Sequence, residues 1–396
     1  MSDPRGCDLD LSAAEFIADP YPEFARLRRE AAMAWHEPSQ MWLVFTHQAC
    51  NAVLRDRRLG RIWNDRQPAE RFEPFNLLHR NQMMEHEPPE HSRLRRKVST
   101  AFARGHINRM RPRVTALGQQ LLRQVDGRDF DVLKDFAEPL PVLVIAELLG
   151  APAADFALLR GWSQATVRMY EPTVVADVED AALEASRQFA EYLRSLIAVR
   201  RADLGDDLLS DLLRPQPGVD GLTDDEVVAS SILLLNAGHE ASVNVFGNGL
   251  VALLRAPEQQ QRLTSGEVAP ELAVEEMLRY DSALQLFERT ATADVEVTGV
   301  QVSAGARAAV LLGSANRDDT VFARPDVLDI GRDPNPHLAF GAGVHFCLGA
   351  PLARMELAES LRLLVAGFPT LSLAGEPRRR PTFVLRGYSS ARVSVT

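Results

Sequence analysis

The stretch Phe340-Gly-Ala-Gly-Val-His-Phe-Cys347-Leu-Gly349 decides how the rest of the chain is read. Its glycines at 341 and 343 permit a tight turn that a side chain would resist. After Cys347 the pattern turns helical, so the sulfur is expected at the start of a helix running from about residue 348 to residue 366. Backbone N–H groups and the positive end of the helix dipole then face it, which lowers the thiol pKa and favours a thiolate able to bind a metal. A free cysteine is by itself more often a small core hydrophobe. That reading stands for Cys7 and Cys50.

Around this stretch lie 396 residues, 46% hydrophobic and 25% charged. That is enough for a sizeable core, as two ordinary domains or as one large domain wrapped around a cofactor. Three widely spaced cysteines argue against a disulfide framework and point to a reducing compartment, so a cytoplasmic protein is expected. No stretch approaches the roughly 20 apolar residues of a membrane span, and no membrane association is expected. A formal charge of −10 argues against nucleic acid as a partner. Against that balance stands a basic run of Arg93, Arg95, Arg96, Lys97, Arg104, Arg109, Arg111 and Arg113. It reads either as a docking patch or as an ordinary solvated face.

Helical periodicity makes the chain mainly α over about 86–282 and 348–366, with β-rich parts at about 30–60, 284–314 and 370–396. The best-marked helix opens at the capping box Thr223-x-x-Glu226 and runs to about Leu254, where Pro257 stops it. At ~1.5 Å per residue it would be about 45 Å long, and the apolar run Ile232–Leu235 in its middle predicts burial on all sides. Pro270 can open a helix through Tyr280. Strands in Val295–Val302 and Ala308–Leu312 follow, forming a second small sheet distinct from the one around Trp42-Leu-Val-Phe45. The segment from Gly60 to Met84 lacks clean periodicity and reads as a long apolar loop with at most one short helix.

The string FGAGVHFCLG matches, at every fixed position, the haem-binding loop Phe-x-x-Gly-x-x-x-Cys-x-Gly of cytochromes P-450, and the likeness continues through Ala350-Pro-Leu-Ala-Arg354. The chain thus resembles a bacterial soluble P-450, similar to polyketide- and macrolide-tailoring members. The resemblance implies the P-450 fold as a single domain over 1–396, mainly α with small sheets, and haem b between the long central helix and the Cys loop. It makes Cys347 the iron ligand, places Phe340, Gly341 and Gly349 around the haem, and puts His345 on a propionate.

Three further matches occur in the family's order. Glu276-Met-Leu-Arg279 resembles the Glu-x-x-Arg ion pair that braces the haem loop, although by spacing alone it is an exposed helix pair. Many relatives complete that network with an arginine where Val327 stands, and Arg332 is the candidate substitute. His91 and Arg95, four residues apart in Pro88-Pro-Glu-His91-Ser-Arg-Leu-Arg95, resemble the propionate-binding face of the C helix; a solvated face is the alternative. Arg289 matches a third propionate ligand.

Leu235-Asn-Ala237-Gly238-His-Glu240-Ala241-Ser242 resembles the oxygen-activation signature, with Ala237 over the haem, Gly238 loosening the helix to make room for oxygen, and Glu240 bringing protons in from solvent. By composition alone it is a glycine-weakened helix with one exposed Glu. Here the sequence departs from the family, because Ala241 stands where a threonine is usual. Ser242 lies about 100° round the helix and restores that hydroxyl only if the backbone distorts. A substrate hydroxyl or an ordered water is the expected replacement, which favours an oxygen-rich substrate.

The resemblance implies a haem-thiolate monooxygenase that inserts one atom of O2 into a C–H or C=C bond of a small secondary metabolite such as a polyketide or macrolide. Oxidative phenol or aryl coupling, peroxide-driven oxidation, and a non-catalytic haem or ligand-binding protein are the rival readings. No strand followed by Gly-x-Gly-x-x-Gly is present for a nicotinamide or flavin. Electrons from NAD(P)H are therefore expected through a separate ferredoxin and ferredoxin reductase, with the basic run and Arg354 as the docking face of a monomer. Candidate pocket walls are Phe72, Phe75, Met83, Leu284, Leu286, Phe287, Leu385 and Tyr388.

Overall fold

The computed structural model describes residues 6–103, 106–125, 127, 129–171, 174–215 and 220–395, so Arg104 of the basic run lies outside it. Two units emerge, one of Met1–Gly60, Gly118–Ala137 and Ala241–Thr396, the other of Arg61–Leu117 and Glu138–Glu240.

The first unit is built on a six-stranded mixed sheet of β1 (Gly6–Cys7), β2 (Met33–His36), β3 (Met41–Val44), β4 (Leu59–Gly60), β5 (Leu286–Ala291) and β6 (Arg307–Leu311). Their order is β1-β2-β3-β6-β5-β4. The β2–β3 hairpin faces Trp35 against Trp42, and β3 then pairs in parallel with β6, placing Met41 beside Arg307. The two expected sheets are therefore largely one. Only the hairpin of Val295–Val297 and Val300–Val302 stands apart, turning through Thr298 and Gly299, both at positive φ. Periodicity identifies strands but carries no information about a parallel partner hundreds of residues away.

Alternation along the strands buries both faces of this sheet. Trp42, Val44, Ala308 and Val310 pack with Ala49, Cys50, Val53 and Leu54 of the helix His47–Arg55, and with Leu338 and Ala342 just before the Cys turn. Met41, Leu43, Ala309 and Leu311 pack on the other side with Phe16, Phe24 and Phe383. Cys50 is core, as expected, and burial pushes its thiol pKa well up. Cys7 is buried and raised likewise. A three-stranded sheet joins Leu371–Leu373, Arg392–Val395 and Asp129–Asp131. The last of these interrupts a region expected to be helical.

In the second unit the segment expected to be a long loop with at most one short helix holds a 12-residue helix, Ala69–Arg80, with Pro74 inside it. The proline masked the helical pattern, and tertiary burial overrides its cost. Phe72 and Phe75 pack with Met169, Ala182 and Leu183, and the His79 imidazole stacks between Trp63 and Phe75 at 4.4 and 4.0 Å.

The central helix spans Asp224–Leu254, and the division between the units falls within it, after Glu240. Its capping box forms as expected. The Thr223 N–H donates to Glu226 Oε2 at 2.8 Å and the Glu226 N–H to Thr223 Oγ1 at 3.2 Å. From Glu226 to Val251 every residue is buried except Ala237, Gly238 and Ala241. No helix among the described residues is long and apolar enough to cross a membrane.

Candidate functional site

Gly341 and Gly343 both take positive φ, at +69° and +71°, to turn the chain toward Cys347. They differ in surroundings. A Cβ on Gly343 would meet the Leu54 carbonyl oxygen at 2.3 Å, so the turn docks against the end of the helix His47–Arg55; at Gly341 the nearest atom is 3.9 Å away. One 3₁₀ turn, Gly343–His345, follows, and the Cys347 N–H donates back to the Phe340 carbonyl at 2.9 Å. The helix Ala350–Gly367 starts three residues after the cysteine. Cys347 is partly exposed, and the absent side chain of Gly349 leaves room beside its sulfur, which an added Cβ would approach to 4.0 Å.

Behind the loop, the helix Pro270–Tyr280 presents two adjacent carboxylates. Glu276 and Arg279 are fully buried, which excludes the exposed-pair reading. Arg279 Nε and Nη2 donate to the two Glu276 oxygens at 2.7 Å each. Arg279 Nη1 caps the carbonyls of Asn316 and Pro325. Arg332 Nε supplies the third arm to Glu276 at 3.1 Å, as expected. Val327 contributes its backbone instead of a side chain. Its carbonyl accepts from Arg279 and from Arg332 at 3.4 Å each, while the side chain is 46% exposed.

Glu275, which the sequence reading missed, binds both flanks of the Cys loop. Arg354 donates to it twice, at 2.7 and 2.9 Å, and His337 Nε2 lies 3.1 Å away. The Ala339 N–H donates to His337 Nδ1, so Nε2 carries the proton and donates to Glu275. Burial alone would raise the Glu275 pKa; the hydrogen bonds from His337 and Arg354 outweigh it and hold the carboxyl at about 2. The Arg354 guanidinium lies 4.5 Å over the Phe340 ring. A Glu doublet on a helix is the only sequence signal for this arrangement.

Arg289 is buried on β5 opposite Ala308, its guanidinium 4.6 Å over Phe287 and Nη1 donating to the Glu288 carbonyl. Leu284 and Leu385 come together in an isolated bridge. These two and Phe287 are partly exposed, whereas Leu286 and Tyr388 are buried, Tyr388 beneath Arg379.

In the second unit His91 is buried in the first turn of the helix Glu90–Ala103, and Arg95, one turn on, is half-buried. Met83 is buried in the short turn Met83–Glu85. The basic run is not one cationic face. Arg93 is bound by Glu90 and Glu226, and Lys97 is buried, donating to the Arg214 carbonyl at 2.6 Å. Arg109 pairs with Asp206 and Arg113 with Glu147. A run of like charges on a helix necessarily points in several directions.

On the central helix, Ala237 is exposed and Gly238 and Ala241 are half-buried. Ala237 and Ala241, at i and i+4, share one face, and Gly238 lies about 100° round from Ala237. The helix is α-helical through Gly238, with no 3₁₀ or π turn. Glu240 is buried, which excludes the exposed-Glu alternative, with Oε1 3.4 Å from His239 Nδ1. Ser242 is buried as well, one turn on from Gly238.

The cytochrome P450 family model matches residues 271–385. Cytochrome P450 monooxygenase PikC of Streptomyces venezuelae is 38% identical over 385 residues, covering 94% of this chain and 90% of that protein. Nocardicin C N-oxygenase of Nocardia uniformis subsp. tsuyamanensis is 40% identical, covering 92% of each. Among solved structures, P450BioI in complex with a hexadec-9Z-enoic acid-ligated acyl carrier protein superposes with a TM-score of 0.92 at 33% identity, over 96% of this chain and 100% of that one. The chain belongs to the cytochrome P450 family. It is a haem-thiolate monooxygenase that uses haem b, O2, a small-molecule substrate and electrons from redox partner proteins. The loop fits the group. It presents one partly exposed sulfur just before a helix N-terminus, and a porphyrin iron, which brings four nitrogens of its own, needs one axial thiolate.

Proposed function

We propose that this protein hydroxylates or epoxidises an oxygen-rich secondary metabolite of the polyketide or macrolide type, and that the substrate supplies a hydroxyl the chain lacks. The observation that carries this reading is the single opening along the buried central helix, at Ala237, Gly238 and Ala241, with no side-chain hydroxyl in it. Ser242, the nearest candidate, is buried. A relative, the polyketide biosynthesis cytochrome P450 PksS of Bacillus subtilis, is 33% identical over 96% of this chain, which supports the substrate class.

In this reading Cys347 would hold the haem iron through its thiolate. His91, Arg95, Arg289 and His345 would hold the propionates, Phe340, Gly341 and Gly349 would shape the loop around the porphyrin, and Glu240 would relay protons toward the Ala241 opening. When bound, the haem activates O2 reductively, and the balance is RH + O2 + 2 e⁻ + 2 H⁺ → ROH + H2O. Candidate pocket walls are Leu284, Leu286, Phe287, Leu385 and Tyr388 of the first unit and Phe72, Phe75 and Met83 of the second. The described units act as one catalytic domain of a cytoplasmic monomer. Electrons arrive from NAD(P)H through a ferredoxin and its reductase, with the basic run and Arg354 as the face an acidic ferredoxin would meet.

The test is a panel of macrolactones and linear polyketides, first for a low- to high-spin shift and then for turnover under labelled dioxygen. Label in the product and a loss of coupling when one substrate hydroxyl is removed are expected. Coupling that survives removal of each hydroxyl in turn overturns the reading.

A further inference from the structure

Adjacent glutamates divide the support of the Cys loop. Glu276 holds the coil that leads toward it through Arg332, Asn335 and the Asp329 N–H. Glu275 takes hydrogen bonds from His337, which precedes the loop, and from Arg354, which follows it. One carboxylate thus ties both flanks of the segment that carries the sulfur. It also neutralises a cation stacked on the Phe340 ring, and the Phe340 carbonyl accepts the Cys347 N–H.

We propose that Glu275 is a positioning residue for the Cys347 thiolate: it balances the Arg354 charge behind the loop and so sets how readily the thiolate-bound iron is reduced. The inference rests on the haem–Cys347 reading given above. An unbalanced guanidinium favours the reduced, more negative state, and removal of the guanidinium while Glu275 stays does the opposite. Arg354 is linked to Cys347 through one ring and one hydrogen bond. For a unit charge about 10 Å away at an effective dielectric of ~20–40, the ratio of reduced to oxidised haem at fixed potential changes roughly 4- to 20-fold. The short, geometrically paired contacts make Glu275 a better neutralising partner than a mobile surface carboxylate.

The experiment is spectroelectrochemical titration of four substrate-free holoenzymes, wild type, Glu275→Gln, Arg354→Gln and the double variant, with the reduced-CO difference spectrum recorded for each. Expected at a fixed potential is a roughly 4- to 20-fold rise in reduced haem for Glu275→Gln, a fall of similar size for Arg354→Gln, and a return to within about twofold of wild type in the double variant. Single variants that titrate like wild type, or a double variant whose shift is the larger one, overturn the inference even where thermal stability falls. If Glu275→Gln does not take up haem, Arg354→Gln alone decides, since its ratio must fall. A wild-type protein lacking the thiolate-type CO band would instead defeat the underlying Cys347 reading.

Discussion

Arg332 Nε lies 3.1 Å from Glu276 Oε2, reaching from 56 residues down the chain to a carboxylate that Arg279 already grips. The guanidinium arrives from a different position in the coil than the family pattern specifies, and the Val327 carbonyl takes up the slack by accepting from both arginines. The network is complete without a side chain at 327.

Two substitutions separate these roles. Arg332→Leu removes one arm from a buried carboxylate still held by Arg279, and should lower unfolding stability by about 1–3 kcal/mol in urea titrations. Val327→Arg changes an exposed side chain and leaves the carbonyl in place, so its effect should stay within about 0.5 kcal/mol.

The two turn glycines should not be equivalent. Gly341→Ala meets only the cost of positive φ, roughly 1 kcal/mol, because nothing crowds the site. Gly343→Ala also drives a methyl group into the Leu54 carbonyl. It should cost several-fold more and lower haem content on purification. Equal urea midpoints for the two variants would contradict the docking of Gly343 on the helix His47–Arg55.

Burial pushes the His79 imidazole down to about 4. The unfolded chain takes up this proton near pH 6.5, whereas the folded protein resists it until about pH 4. The contribution to stability is therefore full above pH 6.5 and is lost as pH falls toward 4. His79→Phe keeps the stack with Trp63 and Phe75 but cannot titrate. Its urea midpoint should fall less than that of wild type between pH 7 and about pH 4.5, a window worth up to ~3 kcal/mol.

At the oxygen side, Ser242→Ala should leave product formed per NAD(P)H unchanged within about twofold, because that hydroxyl is buried. Ala241→Thr places a hydroxyl in the opening. With a substrate analogue lacking its own hydroxyl, it should raise coupling several-fold, roughly the ~1 kcal/mol of one added hydrogen bond.

The parts legible in sequence were those decided locally. A turn with two glycines and a cysteine, a Thr–Glu capping box and Pro270 at a helix start each specify their own geometry within a few residues. What stayed hidden depends on distant partners. Ala69–Arg80 carries Pro74 against its helical pattern and is held by the buried packing of Phe72 and Phe75. Glu275 is an ordinary helix acid until His337 and Arg354, 62 and 79 residues away, come against it. The basic run looked coherent as a list of charges, yet Arg93 and Lys97 are committed to partners at Glu226 and Arg214.

The six-stranded sheet also imposes a timetable on biosynthesis. The His47 N–H, at the start of the helix packed on that sheet, donates to Asp318, 271 residues later. At ~5–20 residues per second a ribosome needs on the order of 15–50 s to make that stretch. Throughout it, the nascent β2–β3 hairpin, with Trp42 and Leu43 meant for burial, waits without its parallel neighbour. Early chaperone engagement on the first 60 residues, rather than late engagement on the completed chain, is where expression of this enzyme should prove most sensitive.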